Sequence, residues 1–84
     1  MHDFHLANQI LKIVLEYAKK YKLKEINLIK IELGEMIEHG ERILPENLKY
    51  NFQLLAKETP AQKAKLEIKL IKKRIWRIKE IEGK

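Results

Sequence analysis

The chain contains no cysteine and no serine. The first absence excludes a disulfide framework and any thiolate metal site. The second removes the commonest hydroxyl nucleophile, and with no Gly-rich phosphate loop either, little is left to build catalysis on. Only three glycines and two prolines punctuate 84 residues. No apolar run is long enough to span a bilayer, and no signal-peptide pattern opens the chain. A single non-enzymatic domain with a cytoplasmic home is the expectation. At this length the chain has room for one modest core.

Charge is abundant but uneven. Lysine and arginine number 18 against 12 acidic residues. Residues 1–56 carry eight of each sign, so the whole excess of +6 falls in residues 57–84. A basic half suits nucleic acid or an acidic partner, or a solvated strand face. Trp76 between Arg74 and Ile75 on one side and Arg77 on the other fits base stacking, but it equally fits a core residue whose arginines reach water.

The apolar periodicity orders the elements. Ala7, Ile10, Leu11, Val14 and Ala18 share one helical face over residues 4–22, with Asp3 at the N-cap position. Ile29, Ile31 and Leu33 alternate with Lys30 and Glu32, predicting a strand over 25–33 that Gly34 ends. A polar loop runs from Glu35 to Leu44. Pro45 then opens a second helix with Leu48, Phe52 and Leu55 as its buried stripe, stopped at Thr59-Pro60. Strands follow over 64–71 and 74–81. Ile81 is out of phase with Trp76 and Ile78, which predicts a bulge or a frayed end. The fold class expected is an α/β two-layer sandwich in the order α-β-α-β-β, a three-stranded mixed sheet with two helices on one face. The core is expected to hold Ile10, Val14, Ile31, Phe52, Leu66, Ile68 and Trp76. The last two strands are expected to form a hairpin, yet Lys72-Lys73 is a poor two-residue turn.

Metal donors concentrate at the N-terminus. Met1-His2-Asp3 offers an amine, backbone amide nitrogens and an imidazole in one tripeptide, a set that suits square-planar Ni(II) or Cu(II). His5 follows three residues after His2, and His39 lies in the loop beside Glu35, Glu38 and Glu41. Both are weaker metal candidates, equally readable as surface histidines and a solvated acidic loop.

These features together resemble a known family. Met-His-Asp with Leu6-Ala7 and Ile10-Leu11 resembles the opening of the HypA/HybF hydrogenase nickel-insertion proteins. Ile29-Lys30-Ile31-Glu32-Leu33-Gly34-Glu35 resembles their first strand, and Pro45-Glu46 with Leu48, Tyr50 and Phe52 their second helix. The likeness continues in order through Leu54-Leu55-Ala56-Lys57, Ala64-Lys65-Leu66-Glu67-Ile68 and Arg77-Ile78-Lys79-Glu80-Ile81-Glu82. Three departures stand out. Asp3 replaces the usual Glu, glycines usual near Glu58 and Lys63 are absent, and the loop from Met36 to Leu44 is longer. The zinc module usual between the last two strands is also missing, and Lys72-Lys73 stands at its place.

The resemblance implies one nickel-binding domain over 1–84, a metallochaperone that holds Ni(II) through Met1, His2 and Asp3 and carries no zinc. It implies work with a HypB-type GTPase and delivery to the large subunit of a [NiFe]-hydrogenase. The awkward Lys72-Lys73 turn further suggests a homodimer by strand exchange, residues 64–81 continuing into a second chain. Two alternatives stay open: a small basic nucleic-acid-binding module, or a truncated engineered scaffold with delivery lost.

Overall fold

In the computed structural model, residues 2–35, 37–38 and 41–84 are described; for His2, Asp3, Ile37, Glu38 and Glu41 only the backbone is. Helix α1 (His2–Lys20) leads into strand β1 (Ile26–Leu33). Two short strands, β2 (Ile37–Glu38) and β3 (Glu41–Arg42), pair antiparallel where a plain polar loop was expected. Helix α2 (Pro45–Leu55) follows, then β4 (Lys65–Leu70) and β5 (Trp76–Gly83). Among the described residues, no helix is long and apolar enough to cross a membrane.

Helix α1 starts at His2, so Asp3 lies inside its first turn and not at the N-cap. Its end is set by Lys22, which adopts φ 55°. Leu23 N–H donates to Ala18 O at 2.8 Å and Lys22 N–H to Lys19 O at 3.3 Å, so the last carbonyls are capped by a Schellman turn. Helix α2 begins on Pro45 with Leu44 extended before it, and no side chain caps it. Proline suits that place because its missing N–H would have no partner there. Beyond α2 the chain turns through Glu58 at φ 62°, one of the two places where the resemblance calls for glycine.

The sheet order is β4-β1-β5. β1 is central, parallel to β4 and antiparallel to β5. The expected hairpin between the last two strands is therefore corrected: β4 and β5 lie on opposite sides of β1. Residues 71–75 cross the end of β1 between them. Ile71 N–H donates to Leu33 O at 2.9 Å, Gly34 N–H to Ile75 O at 2.8 Å, and Glu35 N–H to Lys73 O at 2.9 Å. A Cβ on Gly34 would collide with the backbone oxygens of Lys73 and Ile75, so only glycine lets the crossing come this close. Lys72 and Lys73 have no positive φ. The strained two-residue turn that argued for strand exchange does not form, and that reason for exchange goes with it.

The core lies between the helices and one face of the sheet. Ile10 and Val14 of α1, Leu48 and Phe52 of α2, and Ile26, Ile29, Ile31 and Leu33 of β1 are fully enclosed. Leu66 is buried, while Ile68, Trp76, Ile78 and Ile81 pack on the edge of the cluster half-buried. Across β1 and β5, Lys30 pairs with Glu80 but Ile31 pairs with Ile78. Lys79 is the extra residue of a bulge, and it returns Ile81 to the inner face with Ile78. The out-of-phase Ile81 is accounted for by that bulge.

Candidate functional site

Helix α1 packs against β5, and the strand levels locate the helix's first turn. Ile13 and Tyr17 of α1 line a groove with Ile78, Lys79, Glu80 and Ile81, residues that pair with the middle of β1. Glu25 exchanges backbone hydrogen bonds with Lys84, and Ile26 pairs with Gly83, so α1 leaves off at the start of β1 and its earlier residues lie beside the middle of that strand: the two run antiparallel. A helix rises about 1.5 Å per residue and a strand about 3.3 Å. The first turn of α1 therefore reaches the level of Gly34, at the end of β1 where residues 71–75 cross. The crossing marks the place where the family resemblance puts the zinc module.

Of the candidate ligands, Met1 and His39 lie outside the described residues. His2 and Asp3 are the first two residues of α1. Their amides belong to the first turn, whose N–H groups have no acceptor within the helix. Backbone nitrogen without an acceptor in the helix thus lies where the sequence concentrates donors. His5 is exposed on the same turn, its ring edge-on to Phe4 with centroids 6.4 Å apart. Among the described residues, no three His, Asp or Glu side chains gather into a metal-holding group. The loop glutamates Glu35, Glu38 and Glu41 are only partly described, and Glu35 is exposed.

A second constellation was missed by sequence reasoning. Glu32 faces the helix-free side of the sheet, where alternation predicts a solvated carboxylate, yet it is only 7 % exposed. Arg77, its neighbour on β5, donates to it through Nε. Lys79 Nζ lies 3.9 Å from the other oxygen, and Lys69 is its neighbour on β4. The hydrogen bond from Arg77 holds the Glu32 carboxyl below the usual range against the opposing effect of burial, and the charges of Arg77, Lys79 and Lys69 add to the lowering. One strand position earlier the signs reverse: Lys30 sits between Glu67 and Glu80, with Nζ 3.8 Å from Glu80. Glu80 and Glu82 share a hydrogen bond that lowers the first carboxyl and raises the second. No signal in the sequence joins Glu32 to Arg77 until β5 is known to lie beside β1.

A two-layer α/β domain built on a mixed three-stranded sheet is the class the fold defines. Comparison makes the class specific. The model of the hydrogenase/urease nickel-incorporation metallochaperone family HypA matches residues 1–77, and the chain belongs to that family. The hydrogenase maturation factor HypA of Archaeoglobus fulgidus is 34 % identical over 68 residues, covering 81 % of this chain and 58 % of that protein. HypA 2 of Bradyrhizobium diazoefficiens is 37 % identical over 68 residues, covering 81 % and 57 %. HypA of Pyrococcus furiosus is 32 % identical over 92 residues, covering all of this chain and 63 % of that one. The chain thus spans about three fifths of the curated relatives it matches. The solution structure of the Ni metallochaperone HypA from Helicobacter pylori superposes with a TM-score of 0.78 at 13 % identity, over 96 % of each chain, a likeness of fold.

Proposed function

We propose that this domain carries Ni(II) as cargo for hydrogenase maturation, binding one ion at Met1-His2-Asp3. The observation that carries the reading is that α1 begins at His2, so the amides of His2 and Asp3 have no acceptor within the helix; the imidazole and the amine adjoin them in sequence. Family membership supports nickel as the metal. The role is non-enzymatic: the chain holds and passes on an ion. Its partners are a HypB-type GTPase and the large subunit of a [NiFe]-hydrogenase, met in the cytoplasm. Zinc has no thiolate ligands in this chain, so the fold is expected to survive EDTA with its melting temperature unchanged.

The nucleic-acid reading loses support from the arrangement of charge. On the open sheet face the cations alternate with Glu32, Glu67 and Glu80, and Trp76 packs half-buried against the core. No uninterrupted basic stripe or free stacking ring remains there for a phosphate backbone. Calorimetric Ni(II) titration tests the proposal. His2→Ala is expected to remove most of the affinity, and wild-type binding is expected to weaken as pH falls through the imidazole range near about 6.5. Unchanged affinity in His2→Ala rejects the site.

A further inference from the structure

Among the described residues β5 is an outer strand of the sheet, beside β1. Its sequence from Trp76 to Gly83 has a property that β1 does not use. Turned end for end about the point between Lys79 and Glu80, the strand sets Lys79 against Glu80, Ile78 against Ile81, and Arg77 against Glu82. Every charged residue meets the opposite sign, and the isoleucines meet each other.

In a regular strand this register is impossible, because residues an odd number apart point to opposite faces. The bulge at Lys79 changes that. Ile78 and Ile81 both pack on the helix-side core, while Arg77 and Lys79 reach the open face to pair with Glu32, and Glu80 reaches it to pair with Lys30. Each proposed pair can therefore sit on one face of a joined sheet. The side chains have room to engage: those of Arg77 and Lys79 are 62 % and 63 % exposed, and that of Glu80 is 45 %. Beside the edge, Ile13 of α1 is also exposed, in the groove it shares with Tyr17, Ile78 and Ile81.

We propose that β5 is a docking edge for a second copy of this chain, the two β5 strands pairing antiparallel about a two-fold axis between Lys79 and Glu80. The two sheets then join into one of six strands, and the second copy roofs the groove at Ile13. Opposite-charge pairs directly across a strand pair stabilise it, and like pairs oppose it. The other outer strand is a weaker match. Turned about Ile68, β4 sets Glu67 against Lys69 but leaves Lys65 facing Ile71, so it offers two charge pairs where β5 offers four. No segment is exchanged in this dimer, and the nickel terminus takes no part in it.

Sedimentation equilibrium on the full chain across a concentration series tests the edge. Wild type is expected to dimerise. Lys79→Glu alone and Glu80→Lys alone each place like charges across the axis twice, and each is expected to weaken self-association by at least about tenfold. Mixed in equal amounts, these two variants become complementary and are expected to form a heterodimer. The double variant, with both changes in one chain, is expected to recover the homodimer. Far-ultraviolet circular dichroism checks that each variant is folded; if either is not, Arg77→Glu and Glu82→Arg provide the same mixing test one pair further out. A wild-type monomer at every concentration overturns the proposal. So does dimerisation that ignores these reversals, or that is lost in Glu67→Lys, which points to the β4 edge.

Discussion

On the helix-covered face of the sheet, Ile29, Ile31 and Leu33 are fully enclosed; on the open face, Lys30 and Glu32 of the same strand lie among charged neighbours from β4 and β5. Both faces come from one alternating run of residues. The inner face is held by burial of apolar surface, which is non-directional and needs only that partners be apolar and fit. The outer face is held by rows of opposite charge whose meaning depends on which strands adjoin. Glu32 teaches the difference most clearly. It is as buried as a core residue without any helix over it, because Arg77 and Lys79 from the neighbouring strand fold across it.

The largest effect is expected on the inner face. Phe52→Ala is expected to cost about 3–5 kcal/mol in chemical denaturation, the usual range for emptying an aromatic site in a core. A loss below about 1 kcal/mol would remove Phe52 from that core. Gly34→Ala comes next. Its methyl group must displace the crossing at Lys73 and Ile75, and overpacking of this kind costs about 1–3 kcal/mol. Unaltered stability there would mean that residues 71–75 do not cross as described.

The outer face is probed by pH. The Glu32 carboxyl is held below its ordinary value in the folded chain, so the folded state favours its charged form. Its contribution is present above the unfolded pKa near about 4.3 and is lost as pH falls through the lower folded value. Glu32→Gln is expected to flatten that acid limb in melts between neutral and strongly acidic pH. An acid limb identical to wild type would show that Arg77 and Lys79 do not stabilise the carboxylate. The smallest effect belongs to neither face. Lys22→Gly relieves a left-handed residue at the end of α1 and is expected to stabilise by about 1 kcal/mol, seen as a raised denaturation midpoint. A destabilised variant would contradict the Schellman assignment.

The same contrast explains what was legible in the sequence. Ile10, Val14, Ile31, Phe52 and Leu66 could be placed in the core because helical and strand periods say directly which side chains turn inward. Ile81 announced its bulge for the same reason. The path from β4 to β5 could not be read so. Lys72-Lys73 looked like a failed hairpin, because a short link suggests adjacent strands, and only the close approach at Gly34 allows β1 to lie between them. Glu32 and Arg77 were read as separate solvated charges for want of that adjacency. The proposed nickel donors are three consecutive residues, so they can be nominated from sequence without any topology; Met1 lies outside the described residues, and the proposal is a chemical one.

The central claim is that nickel is held by the chain's own first residues, the amine included. Calorimetric titration of Ni(II) into this chain and into one with a single residue added before Met1 tests it most directly. The added residue leaves His2 and Asp3 in place but moves the amine one residue away. One ion per chain is expected in the first case, and loss of most of that affinity in the second. Equal affinity in the two would contradict it and place the metal elsewhere.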